Sequence, residues 1–424
     1  MADLAITLHE ASRAAQWSCE EFDLEGLITP VSSDKFLDQY WGSSHLFVHR
    51  GNPYYFRRLF SLEDVDRCMV AARARQEKLL TIIPPPNSGK EPSRHRIAEV
   101  SGDRLYNALG DGESIRLMML EEYWPPIAAM AAALRGSFDA KVSVGFYMTP
   151  PDSQAFPIHF DSQDNFIVQV DGWKKWYVYE AEYPFPMDAG YVKDINAAAP
   201  VLDESTARPR ECARLEKGDV LYIPRGFYHK AVTSNSTSLH LTVSILPICW
   251  ADFIKHAVEL LCIDHVEFRK SIPPGFISHL ESRGNMLSSF QSLLQLVSTE
   301  ASFDETLRSL TERELLDRAY PPDGHFGELS RAAEVRPDSL VERRAGMTCW
   351  VELTSDSATI RFGRNRVQGP PPVAPALEFI CSHKQFYVEQ LPGGLSERSK
   401  LVLVRRLVRE GLLRTVRSGE VGAT

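Results

Sequence analysis

Residues 156–170, FPIHFDSQDNFIVQV, place a histidine and an aspartate two positions apart, His159 and Asp161, directly ahead of an apolar run. Side chains two apart on an extended chain face the same way, so imidazole and carboxylate can converge on one point. Residues 215–229, LEKGDVLYIPRGFYH, end on a second histidine, His229. Gly218-Asp219 marks a tight turn into a strand, and Pro224 with Gly226 marks a second turn that delivers His229.

Working outward, KVSVGFYMT (141–149), NFIVQV (165–170), KKWYVYE (174–180), DVLYIP (219–224) and LHLTVSIL (239–246) alternate and are rich in β-branched and aromatic residues. Asp171-Gly172 divides the second from the third as a hairpin turn. Short strands with frequent turns predict a closed all-β barrel or sandwich. Such a barrel can bring the two histidine-bearing strands face to face. Two imidazoles and a carboxylate on one side of a metal leave the other side open, the facial triad of non-haem Fe(II) oxygenases. A closed four-ligand zinc site would leave no such positions. H-x-D alone is a weak signal, and two solvated polar residues at a strand end are its plain alternative. The distal glycine–aspartate–proline–glycine–histidine run, with strands on both sides, makes the combination specific.

The remaining sequence frames that core. SSDKFLDQYWG (32–42) predicts a capped helix, HLFVHR a short strand, SLEDVDRCMVAARAR a helix from Ser61, PPPNSGKEPSRH (84–95) a loop, and residues 113–136 a mostly helical stretch. After Pro247 the pattern turns helical over WADFIKHAVELLCI and about 284–319, returns to strands over 347–364, and passes a proline-rich linker. It ends in helix, short helix, turn, helix. Four parts are expected: a mixed α/β segment packing on the barrel (1–135), the barrel core (136–250), a helical and dimerising region (251–340), and a C-terminal α+β domain (341–424).

The 424 residues are 44% hydrophobic and 24% charged, ordinary globular usage. Lys+Arg of 47 against Asp+Glu of 56 gives −9, which argues against a protein built mainly to neutralise phosphates. Seven cysteines, Cys19, Cys68, Cys212, Cys249, Cys262, Cys349 and Cys381, include no CxxC pair. A cysteine zinc site or disulfide framework is therefore not expected, and a reducing cytoplasm is. The first 26 residues lack a basic segment followed by a long apolar core, so no secretory signal is expected. LHLTVSILPICWADFI is interrupted by His240, Pro247 and Asp252, so no membrane span is expected.

VSVGFYMTPPDSQAFPIHFDSQDNFIVQVDGWKKWYVY followed by LEKGDVLYIPRGFYHKAV and HLTVSI resembles the JmjC-type ribosomal oxygenases. SSDKFLDQYWGSSHLFVHR resembles that family's N-terminal segment, and the helical region with its tail resembles the C-terminal half, so the likeness covers most of the chain. It implies a double-stranded β-helix of the cupin and JmjC type with helical flanks and a C-terminal winged-helix-like domain. It further implies an Fe(II)- and 2-oxoglutarate-dependent dioxygenase hydroxylating a side-chain carbon of a protein or peptide, with release of succinate and CO2. A ribosomal protein is the family precedent for the substrate; a biosynthetic precursor peptide and methyl-lysine demethylation are alternatives. A homodimer is also implied.

The resemblance assigns His159, Asp161 and His229 to iron, Lys174 to the distal carboxylate of 2-oxoglutarate, and Tyr147 and Thr242 to hydrogen bonds with the cosubstrate. An ammonium suits a carboxylate in a partly dry barrel, and Lys175 points to the opposite face. From the residues alone, a solvated edge lysine and a core tyrosine with a satisfied hydroxyl are the alternatives. Where many relatives carry asparagine two residues before the tyrosine, this chain has Gly145, which removes an amide contact and is expected to enlarge the pocket.

His240 is expected to line the pocket, Trp173 and Trp176 to pack the barrel, and His256 and His265 to lie on a surface or interface. Asp164 and Asn165 read either as substrate contacts or as a solvated turn. In the tail, Arg398, Lys400, Arg405, Arg406, Arg409, Arg414 and Arg417 face one acid, Glu410, while Val402, Leu403, Leu407, Val408 and Leu412 form a buried stripe. A solvated basic face or a subunit contact is favoured over nucleic-acid reading, though a winged helix can enter a groove. Two rivals stand beside the main expectation: a 2-oxoglutarate-independent cupin metalloenzyme, and a non-catalytic metal- or metabolite-sensing regulator with a nucleic-acid-binding tail. The loop 181–214 is expected to shape substrate choice.

Overall fold

Strict alternation along one strand, Ser238–Leu246, organises the N-terminal half. Leu239, Leu241, Val243 and Ile245 enter a helix-covered core, whereas His240 and Thr242 face a cavity, because successive side chains leave opposite faces of a pleated strand. The computed structural model describes residues 22–74, 79–187, 200–277, 283–316, 325–344 and 346–416. Residues 1–21, which carry the signal-peptide expectation and Cys19, part of the 181–214 loop, and Arg417 lie outside the described residues. The chain divides into two compact units, Met1–Pro247 and Ile248–Thr424.

The first unit holds β1 Leu46–Val48, β2 Leu79–Ile83, β3 Ser93–Arg96, β4 Ser114–Leu117, β5 Lys141–Thr149 and β6 Asp164–Asp171. It continues with β7 Trp173–Val178, β8 Glu211–Glu216, β9 Val220–Ile223, β10 His229–Thr233 and β11 Ser238–Leu246. An eight-stranded sheet runs β1-β9-β6-β11-β5-β4-β2-β3, and a three-stranded sheet runs β10-β7-β8. From β5 onward the chain switches between the two sheets. Ile167, Leu221 and Ile223 of the large sheet pack with Trp176, Val178 and Leu215 of the small one. This is the expected double-stranded β-helix, a mainly β core with helical flanks.

Two glycines permit the crossovers. Gly172, at φ 62°, turns β6 into β7, and a Cβ there would sit 2.0 Å from the Thr237 carbonyl oxygen. Gly218, at φ 95°, turns β8 into β9 with the Asn52 carbonyl oxygen equally close, 2.0 Å from such a Cβ. Only glycine tolerates both that backbone and that approach. The neighbouring Asp219 is buried. It accepts from the Arg50 and Glu216 amides, 2.9 and 3.0 Å, and meets His49 Nδ1 at 2.9 Å. It thereby pins the segment after β1 beside the turn.

The outer face of the large sheet is covered by α1 Leu24–Ile28, α2 Ser33–Gln39, α3 Asp64–Arg73, α4 Gly102–Gly110 and α5 Pro125–Phe138. Ser32 caps α2 as its sequence predicts, accepting from the Lys35 amide. Residues 113–136 differ from expectation. Ser114–Leu117 is strand β4, paired with β2 and β5, and the helix begins only at Pro125, where a missing N–H costs nothing. The loop expected over 84–95 ends in β3. In both places sheet pairing overrides a local helix or loop signal.

The second unit opens with α6 Trp250–Asp264, α7 Arg283–Glu300, α8 Phe303–Leu316 and α9 His325–Arg331. It continues with β12 Leu340–Arg343, β13 Cys349–Leu353, β14 Ala358–Phe362, β15 Asn365–Gly369, α10 Ala374–Ser382, β16 Gln385–Tyr387, α11 Glu397–Arg409 and β17 Leu413–Thr415. The sheets are β16-β12-β17 and β13-β14-β15. The expected terminal helix stops early because Gly411, at φ 88°, ends it in the left-handed conformation, and the remainder becomes β17. Val404, Leu407 and Val408 form its buried face, while Val402 is exposed. No helix among the described residues is long and apolar enough to cross a membrane.

Candidate active site

His159 and His229 exchange backbone hydrogen bonds in an isolated antiparallel bridge, 3.1 Å from the His159 amide and 2.7 Å from the His229 amide. That bridge sets the two imidazoles side by side, ring centroids 4.4 Å apart. Asp161, two residues on, brings Oδ2 to 3.6 Å from His229 Nε2. One ligand atom from each of His159, Asp161 and His229 falls within 4.8 Å of the others. The Gly226 amide donates to the Asp161 carbonyl (2.9 Å), so the turn that delivers His229 is anchored on the segment carrying the other two groups.

Each imidazole is oriented by its own backbone. His159 Nδ1 lies 2.9 Å from the Pro157 carbonyl and His229 Nδ1 3.0 Å from the Phe227 carbonyl. A carbonyl only accepts, so Nδ1 carries the proton and Nε2 presents its lone pair. Burial first, and the neighbouring His159 second, push His229 down to about 4, against the pull of Asp161; it is therefore neutral at physiological pH. Asp161 Oδ2 accepts from Asn165 Nδ2 (2.7 Å), and Asn165 Oδ1 accepts from Ser244 Oγ (2.7 Å).

Asn165 is thus buried on β6 beside Asp161, which overturns the solvated-turn reading. Asp164 is buried too; it accepts from the Tyr222 hydroxyl (2.7 Å), and burial raises its carboxyl above the ordinary range.

All six residues expected at the site line one cavity of about 210 Å³: His159, Asp161, His229, Lys174, Tyr147 and Thr242. Lys174 is 2% exposed and donates from Nζ to Thr149 Oγ1 at 2.9 Å. Burial lowers its ammonium to about 7, and no acidic side chain among the described residues pairs with it. Lys175 is exposed, over the Tyr177 ring, as alternation requires. Tyr147 stacks on His240, centroids 5.1 Å apart and planes 4° apart, and its buried hydroxyl is raised above the usual range by desolvation. His240 Nδ1 has no partner, and burial followed by Lys174 holds its ring neutral.

Trp176 lines the cavity, whereas Trp173 lies under Arg214, 3.9 Å from the guanidinium carbon to the ring centroid. Gly145 does not enlarge the cavity. A Cβ at 145 would lie 2.2 Å from Met118 Sδ, so the methionine already fills that space. One charged lining residue escaped sequence reading. Arg116 reaches the Tyr147 hydroxyl and Thr81 Oγ1, both at 3.4 Å. Its segment reads as helix, and only the β4–β5 register, Arg116 opposite Tyr147, turns it inward.

These residues fit a divalent metal. Two imidazoles and a carboxylate converge, their outer atoms are tied, and a cavity opens beside them. The buried ammonium in the same cavity suits the carboxylate of a small anionic ligand.

Residues 122–253 match the family model described as the JmjC domain. The chain is 26% identical over 440 residues to the bifunctional lysine-specific demethylase and histidyl-hydroxylase NO66 of Drosophila mojavensis, covering 97% of this chain and 47% of that protein. The protein of the same name in Dictyostelium discoideum is 30% identical over 268 residues, 61% of this chain and 50% of its own. The chain spans about half the length of the curated relatives it matches. It is also similar to solved structures of the ribosomal oxygenase YcfD from Escherichia coli. One is 18% identical with TM-score 0.53, covering 91% of this chain and 98% of that one. Another, in complex with cobalt and 2-oxoglutarate, has the same identity of 18% and TM-score of 0.53, covering 91% and 99%. That likeness shows a shared fold. With its barrel and cavity, the segment 122–253 is similar to the JmjC domain.

Proposed function

We propose that this chain is an Fe(II)- and 2-oxoglutarate-dependent dioxygenase that hydroxylates a side-chain carbon of a protein or peptide. The observation that carries this reading is the pairing, in one cavity, of the His159–Asp161–His229 cluster with a buried, acid-free Lys174 ammonium. His159, Asp161 and His229 would hold the iron, which with 2-oxoglutarate supplies the oxidising chemistry, releasing succinate and CO2. Lys174 anchors the distal carboxylate of the cosubstrate. Tyr147 and Thr242 offer hydroxyls along the same cavity, and Arg116 adds a fixed positive charge. The apolar lining of Phe156, Ile167 and Trp176 keeps water from the reacting centre. Pro157 and Phe227 hold the imidazole protons at Nδ1, and Asn165 holds the carboxylate oxygen.

The name ribosomal oxygenase favours a ribosomal protein as substrate over a biosynthetic precursor peptide, while the other relatives' name carries both lysine-specific demethylase and histidyl-hydroxylase, so demethylation stands as the second reading. A 2-oxoglutarate-independent cupin enzyme leaves a desolvated Lys174 without purpose, and a non-catalytic sensor leaves the open metal side without purpose. The four parts 1–135, 136–250, 251–340 and 341–424 remain our division of the chain. The arrangement of β16-β12-β17 with α11 supports a winged-helix-like reading of the last part. Exposed Trp250, Ile254, Leu287, Phe290 and Leu294 support a homodimer through the helical part. Lys400, Arg405, Arg406 and Arg414 are each bonded to groups of their own chain, which disfavours a nucleic-acid role for the tail. Six cysteines outside any disulfide among the described residues support a cytoplasmic location.

The test is incubation with Fe(II), 2-oxoglutarate and ribosomes or host proteome. Succinate and peptides heavier by one oxygen atom are expected, both lost in Asp161→Ala. Metal binding with neither product would overturn the proposal.

A further inference from the structure

In the second unit, two thiols far apart in sequence meet across an edge strand and a helix. Cys349 opens β13, at the edge of the β13-β14-β15 sheet, and Cys381 lies in the last turn of α10. Both are half-buried against the same core, which includes Phe362, Ile380 and Phe386. The helix that carries Cys381 packs directly against the strand that carries Cys349. A third group locks the pair. Arg343, at the end of β12, directs one guanidinium nitrogen to Cys349 Sγ (3.6 Å) and the same nitrogen to the Cys381 carbonyl. Its backbone amide donates to the Lys384 carbonyl at 2.8 Å, fixing that arginine at the C-terminal end of α10.

We propose that Cys349 and Cys381 form a reversible disulfide site, closed by peroxide-class oxidants, that ties β13 to α10. The environments divide the labour. The neighbouring Cys381 first, and Arg343 second, lower the Cys349 thiol to about 7, whereas Cys349 and burial raise Cys381, with Glu378 on the same helix adding to the rise. Cys349 is therefore the attacking thiolate and Cys381 the resolving thiol. The Cys349 sulfur displaces hydroxide from hydrogen peroxide, giving a sulfenic acid. The Cys381 sulfur then attacks that sulfur, the S–S bond forms, and water leaves with the Cys381 proton. Two thiols give up two electrons, and one peroxide takes them. Cys68, buried and pushed up to about 12, and Cys212, exposed, serve as internal controls.

The experiment uses the full chain. Pulse alkylation at pH 7 should label Cys349 about tenfold faster than Cys381. Titration with hydrogen peroxide followed by non-reducing peptide mapping should give a Cys349–Cys381 linked peptide that dithiothreitol removes. Cys381→Ser should instead yield a Cys349 sulfenic acid trapped by dimedone. Arg343→Gln should shift the alkylation midpoint of Cys349 upward. Oxidation that stops at Cys349 sulfinic acid with Cys381 still free, or Cys349 alkylating no faster than Cys381 in the unmodified chain, would overturn the proposal. The last measurement needs no variant to fold.

Discussion

Two sites in this chain set histidine beside a carboxylate, and they do opposite things with the ring nitrogens. At the barrel, His159 and His229 each give Nδ1 to a backbone carbonyl and leave Nε2 toward Asp161 and the cavity. In the helical part, His256 of α6 uses both nitrogens. Nε2 lies 3.0 Å from Ser309 Oγ, and Nδ1 lies 3.0 Å from both Glu259 Oε2 and Arg313 Nη1. Of the surface or interface expected for His256, the surface reading fails: the ring is buried against α8. A Ser–His–Glu order is present there, yet the guanidinium competes for the nitrogen that a charge-orienting glutamate would need. A histidine becomes a metal ligand through the valence its neighbours leave open, not through the acids nearby.

The largest expected contrast is between Asp161→Ala and His256→Ala. The first should lower metal binding and succinate formation at least about 100-fold, beyond the ~10–100-fold of an outer-sphere loss. The second should change neither, while lowering stability by about 1–3 kcal/mol because Ser309 and Glu259 lose their partner; metal titration and denaturant melts read the two effects. Loss of turnover in His256→Ala would break the comparison.

Asn165→Ala tests whether the support of Asp161 matters as argued. Metal affinity should fall by about 10–100-fold, measured by Fe(II) or Co(II) titration, with the fold intact.

Lys174→Ala should raise KM for 2-oxoglutarate roughly 10–150-fold, the loss of one hydrogen bond to a charged group at about 1.5–3 kcal/mol. The pH dependence has a definite sign. Folding lowers Lys174 from 10.5 to about 7. Between those values the unfolded chain binds the proton and the folded chain does not, so the ligand-free protein gains stability as pH rises through the window. Binding a dicarboxylate requires the ammonium, so affinity falls over the same window and binding takes up a proton. KM profiles, and calorimetry in buffers of different ionisation heat, measure both. A flat KM from pH 7 to 9 would remove Lys174 from the cosubstrate site. The smallest effect belongs to Ser244→Ala, which should cost about 1 kcal/mol of stability through Asn165 and shift metal affinity less than Asn165→Ala.

Much of the barrel was readable because alternation is local. Each of β5, β7 and β11 shows its core and cavity faces in its own sequence, and the same rule separated Lys174 from Lys175. Glycines 172 and 218 announced the turns. β4 was not readable, because SIRL sits in a stretch with helical spacing and becomes a strand only by pairing with β2 and β5. Arg116 was lost with it. The space expected at Gly145 was also misjudged, since its occupant, Met118, follows directly on that same neighbouring strand.

The sequence by itself determined which side chains share a face, where the chain must turn, and that His159 and Asp161 point the same way, since these follow from backbone period and residue chemistry within a few positions; His229 joined them through the distal turn motif and the family resemblance. Only the tertiary structure decided which nitrogen of each imidazole stays free, that Asn165 and Ser244 brace Asp161, that Arg116 enters the cavity, and that Cys349 meets Cys381. Those facts depend on sheet order and helix packing between distant segments, which no local pattern encodes.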